Sequence, residues 1–258
     1  ALYRKVLARY VQMTTAEGIT QAIFPEGGLS LDGRIGAAKL GLLSYIVADH
    51  QPGGRDVVFV PVGIAYDRVL EDRILLQAAS EGTRRFRARP LTILWGTLSV
   101  LGRIAVRRFK GYGTAAAAFG APVSLTAFMA GERATTAALG QHLMAAIGQV
   151  VPVIPVPLVA AALLSHPPDI AALVARSRVL AEDLEQRGAV LKLVPEGMEA
   201  TVREALAALT SRGIVGDDLR VKVGAQPLLD FYAASILQRL DGPFLPKPAA
   251  VGEIAAIS

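Results

Sequence analysis

Apolar residues recur at helical spacing from the first residues onward. Over Leu2–Glu17, Leu2, Val6, Tyr10 and Met13 share one side, Arg4, Lys5 and Arg9 are solvated, and Gly18 acts as a stop. Ile19 to Phe24 is short, apolar and β-prone, which predicts a buried strand. A glycine-rich turn follows, and Ala37 to Asp49 returns to helical spacing with Leu40, Leu43, Ile46 and Val47 on one side. The run His50-Gln51-Pro52-Gly53-Gly54 reads as a turn. Asp56 to Tyr66 is dense in Val, Phe and Ile and predicts a second strand, buried on both faces. Two strands joined across a helix form a βαβ unit, so the expectation is an α/β fold with a mostly parallel sheet.

Arg68 to Gln77 leads into another helix. Thr83 to Pro90 is strongly basic, with Arg84, Arg85, Arg87 and Arg89, and Leu91 to Lys110 combines an apolar face bearing Trp95 with Arg103, Arg107, Arg108 and Lys110. Such a helix suits either a membrane interface or the surface of the sheet, and the flanking arginines favour the membrane. Tyr112 to Phe119 predicts a third strand, ending at Gly120-Ala121-Pro122. From Gly131 the pattern becomes helical, at Thr135–Gly148, Leu158–Ser165, Ile170–Gln186 and Met198–Ser211. Leu219–Val223 reads as a short strand and Pro227–Leu240 as a last helix, before a proline-bearing tail that we expect to be loose. The expected organisation is two parts, residues 1–130 and a mainly helical C-terminal region over 131–258.

Composition sharpens this in three ways. At 258 residues, 52% hydrophobic and a mean hydropathy of +0.43, the chain can bury a large core. Yet the longest apolar run, Val150 to Leu164, is shorter than a membrane span and carries Pro152, Pro155 and Pro157 in its first half. It reads as an irregular buried segment running into a helix. A formal net charge of +5 suits anionic partners, such as phosphorylated substrates or an anionic membrane surface. Nucleic acid is not expected, because the aromatics do not interleave with a basic stripe. The absence of cysteine excludes disulfides and thiolate chemistry, and three scattered histidines, at 50, 142 and 166, make a poor metal site.

The candidate chemistry lies in Phe24-Pro25-Glu26-Gly27-Gly28-Leu29-Ser30-Leu31-Asp32-Gly33-Arg34, with Lys39 beyond it. Strand, glycine-rich turn and helix in that order make an anion site: glycines let backbone N–H groups approach an oxyanion, and a helix N-terminus adds partial positive charge. Arg34 adds a fork and Lys39 a point charge. A P-loop is excluded because Arg34-Ile35 replaces Lys-Ser/Thr, and Ser30 lacks the following glycine of a nucleophile elbow. Two readings stay open from the residues alone, a phosphate or carboxylate cradle and a plain βα turn in which Glu26 caps the helix.

The same stretch, with Lys39-Leu40-Gly41-Leu42-Leu43, resembles the third conserved block of the glycerol-3-phosphate acyltransferases. Val58-Phe59-Val60-Pro61-Val62-Gly63-Ile64-Ala65-Tyr66-Asp67-Arg68-Val69 is similar to that family's fourth block, Gly120-Ala121-Pro122 to its Gly-x-Pro, and Phe231-Tyr232-Ala233-Ala234-Ser235-Ile236 to its closing helix. Leu29 and Leu31 stand where the family pattern commonly carries arginine, which shifts the phosphate to Arg34 and Lys39. The resemblance implies that Glu26, Gly27, Gly28, Ser30, Gly33 and Arg34 shape a glycerol-phosphate site, and that Pro61 and its neighbours line the acyl-donor side. Lys39 joins the set by its charge and its nearness to the loop. Glu26 is expected to hydrogen-bond backbone N–H groups of its own turn, because a carboxylate facing a phosphate repels it.

Within that resemblance the reaction moves a fatty acyl group from a thioester to glycerol 3-phosphate, and needs a general base. The family supplies it as His, four residues, then Asp. None of the histidines fits: position 55 is Arg55, 147 is Ile147 and 171 is Ala171. The chain therefore corresponds to everything after the family's first two blocks, with no catalytic residue of its own, and is expected to be inactive alone. No cofactor is implied beyond the co-substrate, an acyl-CoA or acyl carrier protein thioester. The implied setting is peripheral, at the cytoplasmic face of the cell membrane. A lysophosphatidate-type acyltransferase and a non-catalytic membrane-surface module are the alternatives.

Overall fold

The computed structural model describes residues 2–69, 72, 75–76, 113–132 and 134–241. The basic stretch and Trp-bearing helix expected over Thr83–Lys110 lie outside the described residues, as does the tail beyond Asp241. Eight helices are seen among the described residues: α1 (Leu2–Ala16), α2 (Gly41–Asp49), α3 (Leu125–Met129), α4 (Thr136–Val150), α5 (Pro155–Leu163), α6 (Ile170–Gln186), α7 (Met198–Ser211) and α8 (Gln226–Asp241). Four short strands accompany them: β1 (Val58–Phe59), β2 (Val62–Tyr66), β3 (Ala115–Phe119) and β4 (Val123–Ser124).

The expected mostly parallel sheet is not seen among the described residues. β1 pairs antiparallel with β4, and β2 antiparallel with β3. Together they form one ribbon, interrupted where Val60 and Pro61 oppose Gly120, Ala121 and Pro122, so one side carries an extra residue as in a bulge. Pro61 cannot donate to a ladder, and its carbonyl instead accepts the Gly120 N–H at 2.8 Å. No parallel ladder joins Ile19–Phe24 to β2. Ile19–Phe24 has no strand partner among the described residues and is not a strand, since β structure exists only through pairing.

β2 is also not buried on both faces. Gly63 presses against the backbone at Val150–Val151, at the end of α4, so closely that a Cβ there would collide with it. Val62, Ile64 and Tyr66 point the other way, opposite Phe119, Ala117 and Ala115, and form a bare apolar face. In α1 the buried stripe is Leu7 and Val11, packed with α2, while the face expected to pack, Leu2, Val6, Tyr10 and Met13, is exposed.

The larger core surrounds α5, in which all nine residues are buried. α6, α7 and α8 enclose it, and Leu31, Val69 and Leu75 reach it from the first half of the chain. α5 starts at Pro155, earlier than the apolar run implied. Prolines at its first and third positions have no N–H to leave orphaned, so they suit a first turn. Only Val156 carries a free donor there, and Asp67 takes it: Oδ1 accepts Val156 N–H at 2.9 Å while Oδ2 accepts Thr114 N–H at 2.8 Å. Asp67 is 3% exposed and serves as the cap that Ile154 cannot provide. Leu219–Val223 is reduced to a single bridge between Val215 and Val221.

α8 is tied down at two further points. The Tyr232 hydroxyl donates to Asp72 Oδ2 at 2.6 Å and accepts from Val69 N–H, and the Arg212 guanidinium reaches both Tyr232 and Asp72. Burial and the bond to Asp72 push the Tyr232 hydroxyl up to about 12. Arg239 caps the C-terminal end of α4, donating from Nε and Nη2 to Gly148 O and from Nη2 to Gln149 O. Its burial lowers the guanidinium to about 10.

Replacing Asp67 by Ala strips the cap from α5 and should lower stability in urea by about 1–3 kcal/mol. Burial raises the Asp67 carboxyl above its ordinary value of 3.8. Its contribution is therefore fullest below that value and declines as pH rises through the raised one. Asp67→Asn should remove this decline, so the gap between wild type and variant narrows from pH 4 to pH 7. A gap independent of pH contradicts this.

Candidate phosphate-binding loop

The loop from Pro25 to Gly36 is closed at its base by two bonds. Lys39 N–H donates to Pro25 O at 2.8 Å, and Glu26 Oε2 accepts Gly36 N–H at 3.3 Å. Glu26 thus faces its own turn. Within the loop Asp32 acts as an Asx turn: Oδ1 accepts the Ser30 hydroxyl at 3.2 Å and Arg34 N–H at 3.0 Å, while the Ser30 hydroxyl also donates to Arg34 O at 2.7 Å. Both carboxylates of the loop are therefore turned to its own hydrogen-bond donors.

The cations remain at the surface. Arg34 and Lys39 are exposed, and Lys39 lies across Gly27, where an added Cβ would sit 3.3 Å from its Nζ. Gly27 has φ +64° and Gly28 is exposed beside it. The expected helix N-terminus does not back the loop, because α2 begins at Gly41, after an irregular stretch containing Gly36. An anion here would be met by loop amides and the Arg34 and Lys39 charges rather than by a helix end.

Of the expected site residues, Glu26, Gly27, Gly28, Ser30, Gly33, Arg34 and Lys39 come together in this loop. Pro61 does not: it is buried beside Gly120, at the break in the ribbon. Leu29 is exposed, and Leu31 packs against the larger core. Leu31 therefore holds the loop to the protein from a position where the family pattern carries charge. Among the histidines, His142 lies beside the Phe128 ring, His50 ends α2 and His166 follows α5 in a left-handed turn.

Sequence reasoning missed what the loop rests on. Gly33, at φ +78°, lies against the carbonyl of Phe231 in α8, where a Cβ would overlap that oxygen. Ile35 is locked by the Gln238 side chain, its N–H donating to Oε1 at 2.8 Å and its carbonyl accepting from Nε2 at 2.9 Å. A glutamine 203 residues away carries no signal in the sequence. Ser-x-Asp-Gly is the local signal that could have shown the Asx turn at Asp32. Beside Ile35 and Gly36, a mainly apolar cavity of about 290 Å³ opens between α4 and α8, lined by Met144, Val151 and Ile236.

The sequence pattern of the glycerol-3-phosphate acyltransferase C-terminal region matches residues 96–237. The chain belongs to the glycerol-3-phosphate acyltransferase family. Proteins named glycerol-3-phosphate acyltransferase are similar to most of its length. One from Ectopseudomonas mendocina is 29% identical over 237 residues, covering 84% of this chain and 27% of the relative. One from Pseudomonas fluorescens Pf0-1 is 29% identical over 79% of this chain and 25% of the relative. One from Pseudomonas syringae pv. syringae is 30% identical over 64% of this chain and 21% of the relative. The chain thus spans about a quarter of the length of these relatives. Among the described residues, the pattern of the acyltransferase C-terminal region falls on β3, β4, α3 to α7 and most of α8, and so includes Phe231.

Gly33→Ala separates strain from contact. Gly53 has φ +81° with nothing within 4 Å, so Gly53→Ala measures the left-handed backbone alone, about 1 kcal/mol. Gly33→Ala adds a collision with Phe231 and should exceed it by at least about 1 kcal/mol in urea unfolding. Equal losses contradict the close approach of loop and α8.

Proposed function

We propose that the chain is part of a glycerol-3-phosphate 1-O-acyltransferase, catalysing the first acylation of phospholipid synthesis in the longer protein. Membership of the family, carried by the match over residues 96–237, is the observation that supports this reading most. The first hydroxyl of glycerol 3-phosphate attacks the thioester carbonyl, an O–C bond forms, the C–S bond breaks, and a base takes the hydroxyl proton. The acyl donor, a CoA or acyl carrier protein thioester, is a co-substrate. The base and its carboxylate partner come from outside this chain, so the chain alone is inactive. In a thioester-release assay it should stay at the uncatalysed rate.

In this reading residues 1–130 are the C-terminal half of the acyltransferase domain and 131–258 its helical region. Ile19–Phe24 becomes a strand of a mostly parallel sheet when the longer protein supplies its neighbours, and the bare face of Val62, Ile64, Tyr66 and Phe119 is covered. The enzyme sits peripherally at the cytoplasmic face of the membrane, through the basic stretch Thr83–Lys110. Lysophosphatidate is the competing acceptor; the helical region matched by the family pattern favours glycerol 3-phosphate. Among the described residues, no helix is long and apolar enough to cross a membrane.

The loop holds the phosphate, with Arg34 as its principal charge. A charge-assisted hydrogen bond contributes roughly 1.5–3 kcal/mol. In the longer enzyme Arg34→Ala should raise KM for glycerol 3-phosphate at least about tenfold and leave the acyl-donor KM nearly unchanged. Arg34→Lys should rescue in part, because a point charge lacks the fork. An unaltered glycerol-phosphate KM removes Arg34 from the site.

A further inference from the structure

The loop touches α8 on both sides of Arg34. Gly33, just before it, lies on the Phe231 carbonyl and close to Ala234, where an added Cβ would be 3.2 Å from the Ala234 Cβ. Ile35, just after it, has both backbone groups bound by Gln238. Phe231 and Gln238 are seven residues apart, which is two helical turns, so they share one face. Residues 33–35 therefore lie along that face, with Arg34 suspended between two fixed neighbours.

α8 can serve as a template only if it is itself held. Arg239, the residue after Gln238, is 7% exposed and bonds the last carbonyls of α4, while Tyr232, the residue after Phe231, is anchored by Asp72 and Arg212. Each residue that meets the loop is thus followed by one that fixes the helix. The loop's own bonds, through Asp32 and Glu26, set its internal shape but do not fix its direction relative to the rest of the protein.

We propose that Gln238 is a positioning residue for the glycine-rich loop: by clamping Ile35 it sets where the Arg34 guanidinium stands. The inference rests on the reading of that loop as the glycerol-phosphate site. Gln238 touches no reacting atom and acts through Arg34. It fits this role because an amide both donates and accepts, so one side chain satisfies the two backbone groups of Ile35. Glutamate accepts but does not donate, and its charge opposes the Ile35 carbonyl.

The test combines hydrogen exchange with kinetics. In the 258-residue chain, Gln238→Ala should speed exchange of the Ile35 and Gly36 amides about fivefold or more. In the longer enzyme the same variant should raise KM for glycerol 3-phosphate at least about fivefold, with kcat and the acyl-donor KM nearly unchanged. Gln238→Glu should not rescue. Gln226→Ala, which loses only a bond to Asp230 within α8, should change neither readout. Unchanged exchange at Ile35 overturns the clamp directly. Faster exchange with an unchanged glycerol-phosphate KM overturns the positioning role, and Arg34→Ala measured beside it separates the two failures: a raised KM there keeps the loop at the phosphate site, and an unaltered one removes the loop itself. Equal loss in kcat and in both KM values marks general unfolding and overturns it as well.

Discussion

A helix with no polar side chain has to be enclosed on every side. Pro155–Leu163 is such a helix, and the arrangement of the C-terminal half follows from covering it. α6, α7 and α8 each lay an apolar stripe against it. Its N-terminus cannot be left dry and uncapped, and the two prolines leave a single donor for Asp67 to satisfy. Asp67 ends the segment that contains β2, so the cap also fixes the ribbon to the helical region. The side chain thus works as a structural joint, within the stretch that resembles the family's fourth block.

The loop depends on this packing at one remove. Covering α5 places α8, and α8 presents the face on which Gly33 and Ile35 rest. Leu31 inserts into the same core from within the loop. A hydrophobic residue in a surface loop would otherwise be poorly placed, but here it joins loop and core in one cooperative unit. The exposed charges of Arg34 and Lys39 are carried on a backbone determined by residues 200 positions later in the chain. Substitutions in α8 and in the loop should therefore couple strongly.

Local patterns were read well from sequence where one element decides its own form. α6 and α7 have the expected bounds because Asp169 caps the first and each carries a clear apolar period. The Gly-rich loop was legible for the same reason, as its turn chemistry is local. Strand pairing was not. Ala115–Phe119 and Val62–Tyr66 are apolar on both sides, so nothing in their alternation distinguishes antiparallel from parallel neighbours. Leu2, Val6, Tyr10 and Met13 have the spacing of a packing face, yet Leu7 and Val11 meet α2 instead, since periodicity does not say which stripe finds a partner. Gln238 was invisible because its role lies in a contact across 203 residues.

If the loop from Gly27 to Arg34 receives the phosphate of glycerol 3-phosphate, its backbone amides respond to that ligand. Backbone amide chemical shifts of the 258-residue chain, followed by NMR during titration with glycerol 3-phosphate, test this without requiring catalysis. Saturable shifts are expected, confined to residues 27–39, strongest at Gly28, Gly33 and Arg34, weakened in Arg34→Ala and absent with glycerol. Shifts elsewhere in the chain, or none in the loop, would contradict this reading.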